Sequence, residues 1–142
     1  MHKQNKYMKI SIITITYNSA KTVQRALDSV QNQHYSDIEH IVVDGASSDG
    51  TREIVEKYAA DHKNVRYISE PDKGIYNALN KGIQMATGDV IGFLHSDDML
   101  YSSDSIGQIA ASFENKSVDV VYGDLQYCHG DKVIRRWRSN AF

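Results

Sequence analysis

Four short apolar runs, each followed by a segment whose apolar residues recur at helical spacing, constrain this chain more than any other feature. Ile10-Ser11-Ile12-Ile13-Thr14-Ile15 precedes Val23, Ala26, Leu27 and Val30. The run from Ile38 to Val43 precedes Ile54, Val55, Tyr58 and Ala59, and that from Val65 to Ile68 precedes Ile75, Leu79, Ile83 and Ala86. The fourth, Val90-Ile91-Gly92-Phe93-Leu94, precedes Ile106, Ile109, Ala110 and Phe113. A fifth strand is expected from Val118 to Tyr122. Near-continuous apolar strands alternating with amphipathic helices predict an α/β fold, with a Rossmann-like, mostly parallel sheet covered by helices on both faces. Its crossovers should be right-handed. After Tyr122 the pattern changes. Asp124 to Cys128 and Lys132 to Trp137 read as a hairpin around His129-Gly130-Asp131. Residues 1–8 read as a polar leader, with Met8 an alternative start, and residues 9–142 as a single domain with room for a core.

In an open parallel sheet, ligands bind at the carboxyl ends of the strands. Polar residues gather at four such ends. They are Thr16-Tyr17-Asn18-Ser19, the stretch from Asp44 to Thr51, Glu70-Pro71-Asp72-Lys73-Gly74, and His95-Ser96-Asp97-Asp98. The last is the most informative, because an apolar strand, expected to be buried, delivers two adjacent carboxylates. Like charges so close repel unless a cation relieves them. Hard oxygen ligands suit Mg²⁺ or Mn²⁺, which in turn hold substrate phosphates. Each residue also has a plainer role open to it. Asn18 or Ser19 can cap the first helix, Tyr17 can pack in the core, Asp49 can cap the second helix, and Gly45 and Gly50 can serve turns. Lys73 can be a solvated loop charge, and Asp97-Asp98 can be a capping pair before the fourth helix.

Several classes are excluded. A net charge of −2 gives no footprint for nucleic acid. There is no zinc-type His/Cys spacing, no glycine fingerprint after the first strand and no P-loop. The single cysteine, Cys128, leaves no internal disulfide and fits a reducing compartment. No apolar run is long enough to span a membrane. Arg135, Arg136 and Arg138 flank Trp137 and could meet anionic lipid or a lipid-diphosphate acceptor.

Taken in order, the motifs Ser11-Ile12-Ile13-Thr14-Ile15-Thr16-Tyr17-Asn18, Val42 to Thr51, Asp72 to Gly82, Thr87-Gly88-Asp89 and Phe93 to Asp98 make the chain resemble the family 2 glycosyltransferases of the GT-A fold. The likeness runs from about Lys9 to Trp137. It implies transfer of a sugar from a nucleoside-diphosphate donor, presumed to be a UDP-sugar, to a glycan or lipid-linked acceptor. It further implies an inverting, metal-assisted mechanism in bacterial polysaccharide or cell-surface glycan synthesis. The nucleotide would be held by Thr14, Tyr17, Asn18, Asp44, Lys73 and Asp97, with Tyr17 packing by the base and Asp97 reaching the ribose. The divalent metal, Mn²⁺ or Mg²⁺, would sit on Asp98. The cytoplasm, at the inner face of the membrane, is the place such a resemblance implies, with peripheral membrane association and self-association both open.

The sequence departs from that family in two ways. Many members read Asp-Asp-Gly-Ser after the second strand, the second Asp contacting uracil; here Gly45 stands in that place. The family's general base belongs to an acceptor-binding part and is expected beyond Phe142, so the chain reads as the donor-binding portion of a longer enzyme. Two rivals are a nucleotide-binding scaffold without the base and a related nucleotidyltransferase. The latter would carry a Gly-rich basic loop where Thr16-Tyr17-Asn18-Ser19 stands.

Overall fold

The computed structural model describes residues 7–140. Of the expected leader, residues 1–6 lie outside the described residues. Tyr7 packs edge-on against Tyr35, whose hydroxyl donates to the Met8 carbonyl at 2.6 Å. The elements in order are β1 (Ile10–Thr16), α1 (Val23–Gln31), β2 (Ile38–Asp44), α2 (Thr51–Asp61), β3 (Val65–Ser69), α3 (Ile75–Met85), β4 (Val90–Phe93), α4 (Ser105–Ser112), β5 (Leu125–His129) and β6 (Lys132–Trp137). Two compact units divide between Gln108 and Ile109.

In the first unit, four parallel strands lie in the order β3-β2-β1-β4. The central strands are apolar on both sides because both faces are covered. Val42 packs with Val23 and Leu27 of α1 and with Val55 and Tyr58 of α2. Its neighbours Ile41 and Val43 point the other way and pack with Ile13 and with Ala78 of α3. Close approach of α3 to β1 depends on Gly82, where a Cβ would overlap the Ile13 side chain. At the amino end of the sheet, buried Glu39 accepts hydrogen bonds from the Ser11 hydroxyl and from the Thr87 N–H and hydroxyl, with Lys9 and Arg66 nearby. Burial alone would raise the Glu39 carboxyl, but these donors and Lys9 bring it down to about 2.

Two expectations change. β4 is not a buried strand: it pairs only with β1 at the margin of the described sheet, leaving Ile91 and Phe93 39% and 51% exposed. The stretch from Val118 to Tyr122 forms no strand. It belongs to the second unit, where Val120 and Tyr122 are exposed and, among the described residues, the only ladder joins β5 to β6. An apolar run without a partner edge cannot satisfy its backbone as a strand. The hairpin does form, antiparallel from Leu125↔Trp137 to His129↔Lys132, turning at Gly130 with φ 58°. Among the described residues no helix is long and apolar enough to cross a membrane.

Candidate functional site

Register brings the strand ends of the first unit to one edge. Thr16 lies opposite Asp44, and Asp44 opposite Ser69. β4 ends opposite Ile13, and Leu94 N–H still donates to the Ile13 carbonyl before the chain runs on to Asp97 and Asp98. The loops after β1, β2, β3 and β4 therefore meet, as a parallel sheet requires.

The first two loops are laced together. Asn18 N–H donates to Ser47 Oγ at 2.8 Å, and Asn18 Oδ1 accepts the Ser48 N–H at 3.0 Å. Asn18 holds φ 48°, a left-handed conformation that Asn tolerates. Ser19 N–H donates to Thr51 Oγ1, and Ala20 N–H to Asp49 Oδ2. Asp49 also accepts the Thr51 hydroxyl and N–H, and the hydroxyl first of all holds its carboxyl below the usual range. Asn18 and Ser19 thus join loops rather than cap α1, whose N-cap is Thr22. The loop after β4 is tied in by Ser96 Oγ donating to Ser19 Oγ at 2.9 Å.

Two residues expected to touch nucleotide face inward instead. Thr14 is fully buried, with its hydroxyl 2.8 Å from His40 Nε2. Burial lowers His40 to about 3 and so keeps it neutral. Asp44 is also fully buried. Its carboxylate accepts Ser47 N–H at 3.0 Å, Ser47 Oγ at 2.5 Å and Ser69 Oγ at 2.6 Å. It closes the β2–α2 loop and offers no surface to a ligand. The loop it closes carries strain, since Ala46 takes φ 61° where a family pattern with glycine would be relaxed.

Three expected residues do face the edge. Tyr17 is 66% exposed and so not core. Lys73 is exposed, its N–H held by Asn77 Oδ1 at 3.2 Å. Asp97 is exposed in the turn that Asp98 N–H closes onto the His95 carbonyl at 3.1 Å. The carboxylate pair does not cap a helix, because α4 begins only at Ser105. Asp98 is raised, mainly by desolvation and then by the Asp97 charge, with His95 opposing.

Among the described residues, no group of three or more His, Cys, Asp and Glu side chains gathers to hold a metal. The pair still fits a Mg²⁺- or Mn²⁺-type ion, which needs only one or two carboxylates when substrate phosphates and water complete the shell. Two residues of the expected strand-end loops join the site although the motifs assign them no nucleotide or metal role. The Thr16 hydroxyl, at the end of β1, is buried without a hydrogen-bond partner among the described residues. Asp72 comes from the β3–α3 loop to lie against Gly45, and its signal in the sequence is its place in a polar strand-end loop, two residues before the conformationally free Gly74.

The glycosyl transferase family 2 model matches residues 11–142. This chain belongs to glycosyl transferase family 2. It is 38% identical over 117 residues to a PGL/p-HBAD biosynthesis glycosyltransferase of Mycobacterium tuberculosis, covering 81% of this chain and 46% of that protein. An uncharacterized glycosyltransferase of Nostoc sp. is 35% identical over 131 residues, or 89% of this chain and 40% of that one. The chain thus spans less than half the length of these relatives. Its fold is of the GT-A type, as solved glycosyltransferases show. S. aureus TarS 1–349 in complex with UDP-GlcNAc superposes with TM-score 0.69 at 32% identity, over 75% of this chain and 31% of that one. The mannosyltransferase PcManGT from Pyrobaculum calidifontis, in complex with GDP-Man and Mn²⁺, gives 0.70 at 27% identity, over 84% and 35%. In this family 2 chain, the loops after the four parallel strands gather Tyr17, Lys73, Asp97 and Asp98 at one edge of the sheet.

Proposed function

We propose that this chain supplies the donor site of an inverting, metal-assisted glycosyltransferase that uses a nucleoside-diphosphate sugar and a glycan or lipid-linked acceptor. The observation that carries this reading is the convergence of exposed Tyr17, Lys73 and the Asp97–Asp98 pair on the carboxyl edge of one parallel sheet. The Mn²⁺ complex of a structural relative supports the choice of cofactor.

Each residue then has a task its placement allows. The Tyr17 ring offers a face for a nucleobase. Asp97 accepts from a ribose hydroxyl, as an ionised carboxylate can only accept. Lys73 meets the diphosphate, and Asp98 holds the divalent ion. That ion, when bound, neutralises charge on the departing nucleoside diphosphate. Asn18, Ser19, Asp44 and Ser96 keep the loops in place so that the exposed groups need not reorganise on binding. Inversion needs a general base, expected here to be a carboxylate, to take the acceptor proton. Asp124 is a weaker base than a free carboxylate, because it accepts the Ser139 N–H and hydroxyl, which hold it below the usual range.

Calorimetric titration with UDP and GDP, in Mn²⁺ and in EDTA, tests the proposal. Binding should strengthen with Mn²⁺, and Asp98→Ala should remove most of that gain. Equal affinity in Mn²⁺ and EDTA for the unsubstituted chain would refute the metal-assisted donor site.

A further inference from the structure

Gly45 leaves a gap on the exposed edge, and a carboxylate from another loop fills it. A Cβ built on Gly45 would lie 2.7 Å from Asp72 Oδ2 and 3.3 Å from Tyr17 Cδ2. The Asp72 carboxylate, the Gly45 backbone and the exposed Tyr17 ring therefore share one small neighbourhood. Asp44, the carboxylate adjacent in sequence, cannot serve there, because it is fully buried and its oxygens already accept from Ser47 and Ser69.

Asp72 is held in place rather than waving in solvent. Its Oδ1 accepts the Gly74 N–H at 3.0 Å, the only hydrogen bond to this carboxylate among the described residues. The loop that carries it is pinned on both sides. Glu70 N–H donates to the Asp44 carbonyl at 3.0 Å, while Lys81 Nζ donates to the Pro71 carbonyl at 3.0 Å and pairs with Glu70 at 2.8 Å. Gly74 supplies the positive φ, 102°, that turns the chain into α3. Oδ2 is thus an oriented acceptor close to the exposed Tyr17 ring.

From this we infer that Asp72 sets nucleobase preference. Resting on the donor-site reading above, the base lies against Tyr17 and presents a ring N–H to Asp72 Oδ2. An ionised carboxylate has no donor. It accepts N3–H of uracil or N1–H of guanine, whereas the bare ring nitrogen of cytosine or adenine sets lone pair against lone pair. A site built to receive an N–H discriminates strongly against a partner lacking it, since the buried polar group is left unmatched.

Titration with UDP and CDP in Mn²⁺ tests this, using the unsubstituted chain, Asp72→Ala, Asp72→Asn and the double variant Gly45→Asp/Asp72→Ala, each first checked for an unchanged thermal midpoint. The unsubstituted chain should prefer UDP by roughly 10–100-fold, the size of a charge-assisted hydrogen bond. Asp72→Ala should lose most of that preference through weaker UDP binding. Asp72→Asn, whose amide donates to the cytosine ring nitrogen, should narrow it further from the CDP side. The double variant moves the carboxylate onto the neighbouring backbone, with the overlap relieved, and should recover the preference. Asp72→Ala binding both nucleotides as the unsubstituted chain does would overturn this inference and leave the donor site standing. No binding of any nucleoside diphosphate by the unsubstituted chain would overturn both.

Discussion

Asp44→Asn is an isosteric change that separates a loop clamp from a base contact. The buried Asp44 carboxylate accepts three hydrogen bonds, from Ser47 N–H, Ser47 Oγ and Ser69 Oγ. The serine hydroxyls can rotate to accept from an amide, but the Ser47 N–H can only donate. With the amide oxygen facing that N–H, the hydroxyl bonds remain as neutral ones. Hydrogen bonds to a charged group contribute about 1.5–3 kcal/mol and neutral ones about 0.5–1.5 kcal/mol, so three downgraded bonds cost roughly 3–4 kcal/mol; an amide is cheaper to bury than a carboxylate, which offsets part of that and leaves a net loss of roughly 1–3 kcal/mol. For a chain of this length that is a fall in thermal midpoint on the order of 10 °C. Urea unfolding followed by far-ultraviolet circular dichroism should show a lower midpoint with an unchanged slope. Tyr17→Ala provides the contrast: the ring is 66% exposed, so stability should hold, while nucleotide binding should weaken by about 1–3 kcal/mol from lost stacking. A midpoint for Asp44→Asn within experimental error of the unsubstituted chain, together with altered nucleotide preference, would refute the clamp and restore Asp44 as a direct contact.

Other outcomes follow from the same geometry. The Asp98 carboxyl is raised by desolvation and by Asp97, so ionising it opposes folding; Asp98→Asn should raise the midpoint of the metal-free protein near neutral pH and abolish the shift caused by Mn²⁺ with UDP, both read by thermal unfolding. Glu39 is lowered from 4.5 to about 2, so its contribution is complete above pH 4.5 and disappears as pH falls through about 2. That shift corresponds to roughly 3 kcal/mol. Glu39→Gln should therefore destabilise at pH 7 and lose less stability than the unsubstituted chain between pH 5 and pH 2, as acid titration with circular dichroism will show. Ala46→Gly relieves a left-handed alanine and should stabilise by up to about 1 kcal/mol, because the relief of roughly 1–2 kcal/mol exceeds the added freedom of the unfolded chain. A lower midpoint for Ala46→Gly would show that the loop is not strained there.

Periodicity alone located the elements that build the sheet and its cover. Val23, Ala26, Leu27 and Val30 are the buried face of α1, and the run from Ile38 is the wholly buried β2. These are local properties: a stripe at helical spacing, or an unbroken apolar run, can be buried in few ways. The motifs likewise gather at one edge, since parallel strands carry the loops after them to one side. Tertiary structure decided what each side chain at that edge does. Thr14 shares a motif with Tyr17 and Asp44 ends the neighbouring strand, yet alternation along the strand and closure of the β2–α2 loop turn both inward to internal partners. Asp72 reaches Gly45, 27 residues away in sequence, only because β3 lies beside β2 in the folded sheet, a pairing that no local pattern encodes. The same holds for strand burial. Val90–Phe93 is as apolar as a central strand, and Val118–Tyr122 nearly so, but burial depends on neighbours supplied by other parts of the fold. β4 has one neighbour in the described sheet and residues 118–122 have none, so the first is half exposed and the second forms no strand.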